Sequence, residues 1–240
     1  MSARFVFLAA ASALLLSAVP FDAPCAAETT ASATDHSLFH SGLFGRGEKG
    51  SGTLITREFD VAAFDHVVLD GGFDVNVTAG GEPAVTVTVD DNLADLFTAE
   101  VEAGALHLDW KKSCRPNRKC RVDVTLPELK GFTVNGAGDV EIKGVRGARL
   151  ELRINGAGDM EVSGSVDELE LVVSGAGDVE AGELLAQDVE VRVSGAGDAT
   201  VRAARSLDAT VSGVGEITYL GDPAEKETRV SGVGEINRGR

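Results

Sequence analysis

Asn135-Gly136-Ala137-Gly138-Asp139 is the first of six copies of one phrase: Asn or Ser, Gly, Ala or Val, Gly, then Asp or Glu. The others span 155–159, 174–178, 194–198, 212–216 and 231–235, and successive copies begin 20, 19, 20, 18 and 19 residues apart. A fixed period of this size means stacked structural units, one per copy. Each unit reads as an alternating strand, the phrase as a turn, and a second short strand. Leu150-Glu151-Leu152-Arg153-Ile154 precedes one copy, and Met160-Glu161-Val162 follows it. Alternation puts Leu150, Leu152 and Ile154 on one face and Glu151 and Arg153 on the other. One unit cannot bury its apolar face alone. Stacking equivalent strands in parallel register builds a continuous interior, and the expected fold is an all-β parallel β-helix. Six coils at about 4.8 Å each give a shaft of roughly 29 Å.

The paired glycines of each phrase (Gly136 and Gly138, Gly156 and Gly158, Gly175 and Gly177, Gly195 and Gly197, Gly213 and Gly215, Gly232 and Gly234) read as turn residues. Glycine relieves the Cβ penalty at positive φ and lets turns stack closely. The flanking Asn, Ser and Asp residues suit bonding to local backbone N–H groups. Stacking lines up Asp139, Asp159, Asp178, Asp198, Glu216 and Glu235 along one edge. Carboxylates one coil apart repel unless hydrogen-bonded, screened or bridged. No cofactor is expected. Ca²⁺ on Asp139, Asp159, Asp178 and Asp198 is the alternative to local turn bonding, because calcium between coils is a known use of Gly- and Asp-rich rolls.

Upstream of the repeats, residues 53–130 read as an N-terminal β-rich cap with a hairpin. Asp70-Gly71-Gly72-Phe73-Asp74 looks like a degenerate copy of the phrase. Val85, Val87 and Val89 alternate with threonine, as in a half-buried strand. Asn92 to Phe97 reads as one helical turn. Ala105–Trp110 and Val122–Leu126 alternate too, and are expected to pair as an antiparallel hairpin. Its tip carries Lys111, Lys112, Arg115, Arg118, Lys119 and Arg121, six cations in eleven residues. As a functional feature this is a basic finger for an anionic ligand, such as an acidic polysaccharide or lipopolysaccharide phosphate. As a structural one it is a solvated turn whose charges discourage edge pairing. Cys114 and Cys120 are expected to close the tip as a disulfide, with free thiols as the alternative.

Residues 1–27 read as a secretory signal, with Arg4, an apolar run from Phe5 to Val19, and small residues at Cys25-Ala26-Ala27. Pro24 before Cys25 argues against lipidation. The apolar run is short for a membrane span. Residues 28–52 read as a flexible leader, and residues 131–238 as the repeat coils. His36 and His40 are four apart, but Gly42, Gly45 and Gly47 speak against a helix that would pair them on a metal. The formal charge is −16. Removing Arg4 and Asp22 together leaves it unchanged. So acidic a chain argues against nucleic acid or an anionic membrane surface as a partner. The expected location is exported: periplasm, cell surface or extracellular.

The Gly-Ala-Gly-Asp repeats, Tyr219-Leu220-Gly221-Asp222-Pro223, the closing Ser231-Gly232-Val233-Gly234 and the Val-rich stretch before them resemble a bacterial family described as "putative auto-transporter adhesin, head GIN domain". The resemblance covers about residues 55–238. It implies a right-handed β-helix at the cell envelope and brings no catalytic residues with it. Outward Glu151, Arg153, Glu161, Glu190 and Arg192 read as mixed solubilising charge, and no Ser/His/Asp or Cys/His constellation is visible. The chain therefore reads as a non-catalytic binding or adhesion module for an anionic glycan or envelope component. A mainly structural envelope protein, oligomeric through its coil ends, is the alternative. A polysaccharide-active enzyme is the third reading.

Overall fold

The structure, a computed structural model, describes residues 47–240. The signal segment 1–27, Cys25, His36, His40 and most of the leader lie outside the described residues. The strands, in chain order, are β1 (Glu48–Lys49), β2 (Leu54–Phe59), β3 (His66–Leu69), β4 (Asp74–Ala79), β5 (Ala84–Asp90), β6 (Phe97–Glu102), β7 (Ala105–Trp110), β8 (Cys114–Arg115) and β9 (Arg121–Leu126). Then follow β10 (Gly131–Val134), β11 (Val140–Ile154), β12 (Met160–Val173), β13 (Val179–Val193), β14 (Ala199–Val211), β15 (Val214–Leu220), β16 (Glu225–Val230) and β17 (Val233–Arg238). One 3₁₀ turn, Asp91–Leu96, interrupts the strands.

The repeats form a parallel β-solenoid of about five turns. The second strand of one unit and the first of the next are a single long strand that bends between two phrases. β12 and β13 pair in parallel with Met160 beside Val179, Leu169 beside Val189 and Val173 beside Val193. The register slips once between Ile142 and Val145 in the β11–β12 pair. Gly144 (φ 75°) and Gly164 (φ 145°) make that second bend. In-register stacking carries Leu150, Leu169, Val189 and Leu207 into one buried row. Each such side chain contributes roughly 1.5–3 kcal/mol by leaving water.

At the phrase corners the third residues bridge coil to coil: Gly72 to Ala137, then Ala157, Ala176, Ala196 and Val214. Asp70–Asp74 is therefore a seventh copy. The glycines serve stacking more than φ. A Cβ on Gly156, Gly175 or Gly195 would sit 1.9 Å from the carbonyl oxygen of the equivalent glycine one coil earlier. Within the six phrases, only Gly138 and Gly158 take a left-handed φ.

Two expectations for the N-terminal part need correction. Ala105–Trp110 and Val122–Leu126 do not pair. β7 lies antiparallel to β6 and parallel to β3, while β9 lies parallel to β4 and antiparallel to β5. The hairpin is β6–β7. Ala103 (φ 50°) and Gly104 (φ 85°) close it, two consecutive positive φ angles that match the twist of a tight hairpin. Residues 111–120 are thus a crossover between two ladders of the stack. Ordered structure also starts before Thr53, because β1 pairs with β8.

Four aromatic residues cluster beside this crossover. Phe73, Phe97, Trp110 and Phe59 pack with ring centroids 4.9–6.1 Å apart.

Steric closeness and backbone conformation can be separated by two substitutions. Gly175→Ala meets the Gly156 carbonyl but has no left-handed φ. Gly80→Ala takes φ 103° with nothing within 4 Å of the new Cβ. Thermal or urea unfolding should show Gly175→Ala costing about 3 kcal/mol or more and Gly80→Ala about 1 kcal/mol. Equal costs would show that corner stacking is not limiting.

Candidate functional site

Lys111–Arg121 is held as a rigid crossover by backbone contacts. The N–H of Lys111 donates to Leu96 O at 2.8 Å, Glu48 N–H to Ser113 O at 3.0 Å and Gly50 N–H to Arg115 O at 2.9 Å. Asp90 pins its tip from inside. This carboxylate is fully buried and accepts the N–H of Gly52 at 2.6 Å and of Asn117 at 2.8 Å. Any side chain at position 50 would collide with it, since a Cβ there would lie 2.1 Å from its oxygen.

Three of the six cations have partners within the protein. Lys112 pairs with Glu48 at 2.5 Å. The Lys111 ammonium donates to Asp95 O at 2.9 Å. Lys119 bridges Asp74 and Asp139, 3.2 Å from each. Arg115, Arg118 and Arg121 are exposed and, among the described residues, have no carboxylate within ion-pair distance. Arg118 and Lys119 line a recess of about 400 Å³ floored by Phe73, Cys120 and Gly138. Arg121 stands at the end of a neighbouring groove of about 500 Å³ whose other walls carry Asp159, Glu161, Asp178 and Glu180.

Both cysteines are free thiols here, so the expected disulfide is not formed in this structure. Cys120 is buried, and burial first, then the nearby Asp90 charge, pushes its pKa up to about 11. Cys114 is half-buried and its pKa is raised too, chiefly by desolvation. Its thiol donates to Lys112 O at 3.2 Å.

The acidic corner residues solve their repulsion across coils. The Asp159 carboxylate accepts the N–H of Asp178 at 3.3 Å, Asp178 that of Asp198 at 2.9 Å, and Asp198 that of Glu216 at 2.7 Å. The expectation of bonding within the turn was thus wrong by one coil. Among the described residues no three metal-ligating side chains converge on one point. On another face Glu151, Glu170, Glu190, Asp208 and Glu227 form a second carboxylate column in register. Each has an arginine beside it: Arg153 for Glu151 and Glu170, Arg192 for Glu190, Arg229 for Asp208 and Glu227. Outward charge that read as merely mixed is therefore ordered by column.

Residues 63–223 match the sequence profile of the family "putative auto-transporter adhesin, head GIN domain". The chain belongs to that family. Among solved structures, this head GIN chain is similar to a putative adhesin from Bacteroides fragilis, at 29% identity and TM-score 0.67, covering 80% of this chain and 100% of that one. A putative lipid binding protein from Parabacteroides distasonis shares 26% identity at TM-score 0.52, over 80% of this chain and 99% of the other. A putative adhesin from Parabacteroides merdae shares the fold at 21% identity and TM-score 0.53, over 80% and 98%. Among curated proteins none matches.

In this head GIN domain, then, five of the six basic residues sit on one crossover and Arg121 opens β9 beside it, and the structure divides the six into three engaged and three open. Sequence reasoning missed Asp90, which organises the crossover. The only signal was an acidic residue ending a buried alternating strand. It also missed that segment 47–52 runs along the crossover and shares its anchors.

The cross-coil ladder makes a graded prediction. Asp178→Ala removes the acceptor for the Asp198 N–H and should cost about 1–2 kcal/mol in denaturant unfolding. Asp178→Asn keeps an acceptor oxygen and should cost less than half of that. If alanine and asparagine were equally mild, the ladder would contribute nothing to stacking.

Proposed function

We propose that this protein is an exported, envelope-associated, non-catalytic module of the head GIN family that binds anionic groups of an envelope or extracellular glycan through its basic crossover. The observation that carries the reading is the open trio Arg115, Arg118 and Arg121 on a backbone pinned by Asp90. Guanidinium forks match the planar carboxylates and phosphates of acidic glycans. A pinned backbone lowers the ordering cost of binding. Membership of a family described as adhesins supports a binding role. The same family description favours a non-catalytic module.

Two sources of such anionic groups are separable by experiment: acidic polysaccharide, and the phosphates of lipopolysaccharide, which the lipid-binding name of the Parabacteroides distasonis relative brings into view. Binding of the purified protein to an acidic-polysaccharide array and to lipopolysaccharide vesicles should fall by about 2 kcal/mol, roughly thirtyfold in Kd, when Arg115, Arg118 and Arg121 are all replaced by alanine. It should also weaken with salt while the melting temperature stays unchanged. Binding to neither surface would leave the mainly structural reading.

In an oxidising compartment the same crossover closes further through a Cys114–Cys120 disulfide. Intact mass of protein recovered after export, with and without reductant, checks this. Two alkylatable thiols in unreduced material would refute it.

A further inference from the structure

Each interior coil is paired on both sides, but the last is not. β16 pairs only with β14 and β17 only with β15, and the strand order ends at β17. All six residues of β16 are exposed. Its register against Ser206–Val211 runs unbroken, with no bulge to twist the edge away. Lys226, Thr228 and Val230 lie in register over the buried Leu207, Ala209 and Val211. Lys226 reaches the Tyr219 hydroxyl at 3.1 Å and lies 5.3 Å from its ring centre. Val230 and Val233 on either side of the final corner are 49% and 78% exposed. A row of unpaired N–H and C=O groups is a template for another strand, and the charges of β16 with Pro223 before it restrict which strand can add.

The charge order of the edge selects its partner. β16 reads Glu225-Lys226-Glu227-Thr228-Arg229-Val230. Turned antiparallel on a second copy about Thr228, it places Glu227 opposite Arg229 of that copy, Arg229 opposite Glu227, and threonine on threonine. Opposite charges and Thr–Thr pairs are favourable cross-strand neighbours. The inward row then sets Lys226 opposite Val230, whose methyls the lysine stem can cover. Head-to-tail stacking on β6, a single-paired edge like β2, fits poorly. The far edge strand β6 shows Thr98, Glu100 and Glu102 on the face away from the core. Laying β16 on it brings Glu225 and Glu227 towards like charges.

We infer that the protein self-associates as a two-fold dimer through antiparallel pairing of β16 with β16 of a second copy. Sedimentation velocity over a concentration series should show a monomer–dimer equilibrium. Arg229→Glu faces Glu227 with a second glutamate and should weaken dimerisation at least roughly tenfold. The double variant Glu227→Arg with Arg229→Glu restores opposite pairs across the edge and should recover the dimer. Both variants carry Arg229→Glu and so set a carboxylate near Asp208. Glu227→Arg also returns a cation to the position in register with Asp208, so circular dichroism and melting temperature are measured for both variants. The expected result is a fully folded Arg229→Glu protein that fails to dimerise, and loss of the dimer only together with loss of fold would overturn the proposal. A protein monomeric at every concentration, a dimer indifferent to Arg229→Glu, or no recovery in the double variant would each overturn the proposal.

Discussion

Everything in this protein rests on how closely one corner can lie on the next. At Gly156, Gly175 and Gly195 the space a Cβ would need is already filled by the carbonyl oxygen of the coil below. That closeness lets the third residue of each phrase bridge to its counterpart and lets the carboxylate of the fifth reach the next N–H. Register follows from it. Once Ala157 lies on Ala137 and Ala176 on Ala157, the long strands between must stack Leu on Leu and Val on Val. The hydrophobic effect supplies most of the driving force and forbids a one-residue slip, but it is indifferent to a two-residue slip, which keeps apolar on apolar. The corner is not.

Stacking identical units has an electrostatic cost, since any outward charge is repeated at every level. The structure answers it twice. At the corner, each aspartate from Asp159 to Asp198 finds a backbone donor in the next coil. On the far wall, the column from Glu151 to Glu227 is flanked by arginines. Against this matched background the open guanidinium groups of Arg115, Arg118 and Arg121 stand out. Arg115 and Arg118 lie where the chain crosses between ladders, and Arg121 stands at the first position of β9, in register with Asp74.

The repeat part of the fold was legible because its signals are local and periodic. The phrase spacing, the alternation around Leu150–Ile154 and even the degenerate copy at Asp70–Asp74 can be read without knowing any partner. The N-terminal strands were legible as strands but not as pairs. Alternation in Ala105–Trp110 and Val122–Leu126 says that each has one buried face, not which neighbour it meets or in which direction. Ala103-Gly104 held the better clue to the true hairpin. The crossover's chemistry was visible as composition. Its internal accounting was not, because Lys112 meets Glu48, Lys111 meets Asp95, and Asp90 meets Gly52 and Asn117 from far along the chain.

The corner bridges also make size a discrete variable. Each coil touches only the one above and the one below, and every phrase offers the same seat to the next. Adding or losing one whole unit changes no contact type. The separation between the crossover near one end and the unpaired edge at the other can therefore change only in whole coils, steps of about 4.8 Å. In this geometric sense the length of the solenoid is set by the number of its repeats. Gene duplication of one such repeat unit would move its two ends apart without redesigning either.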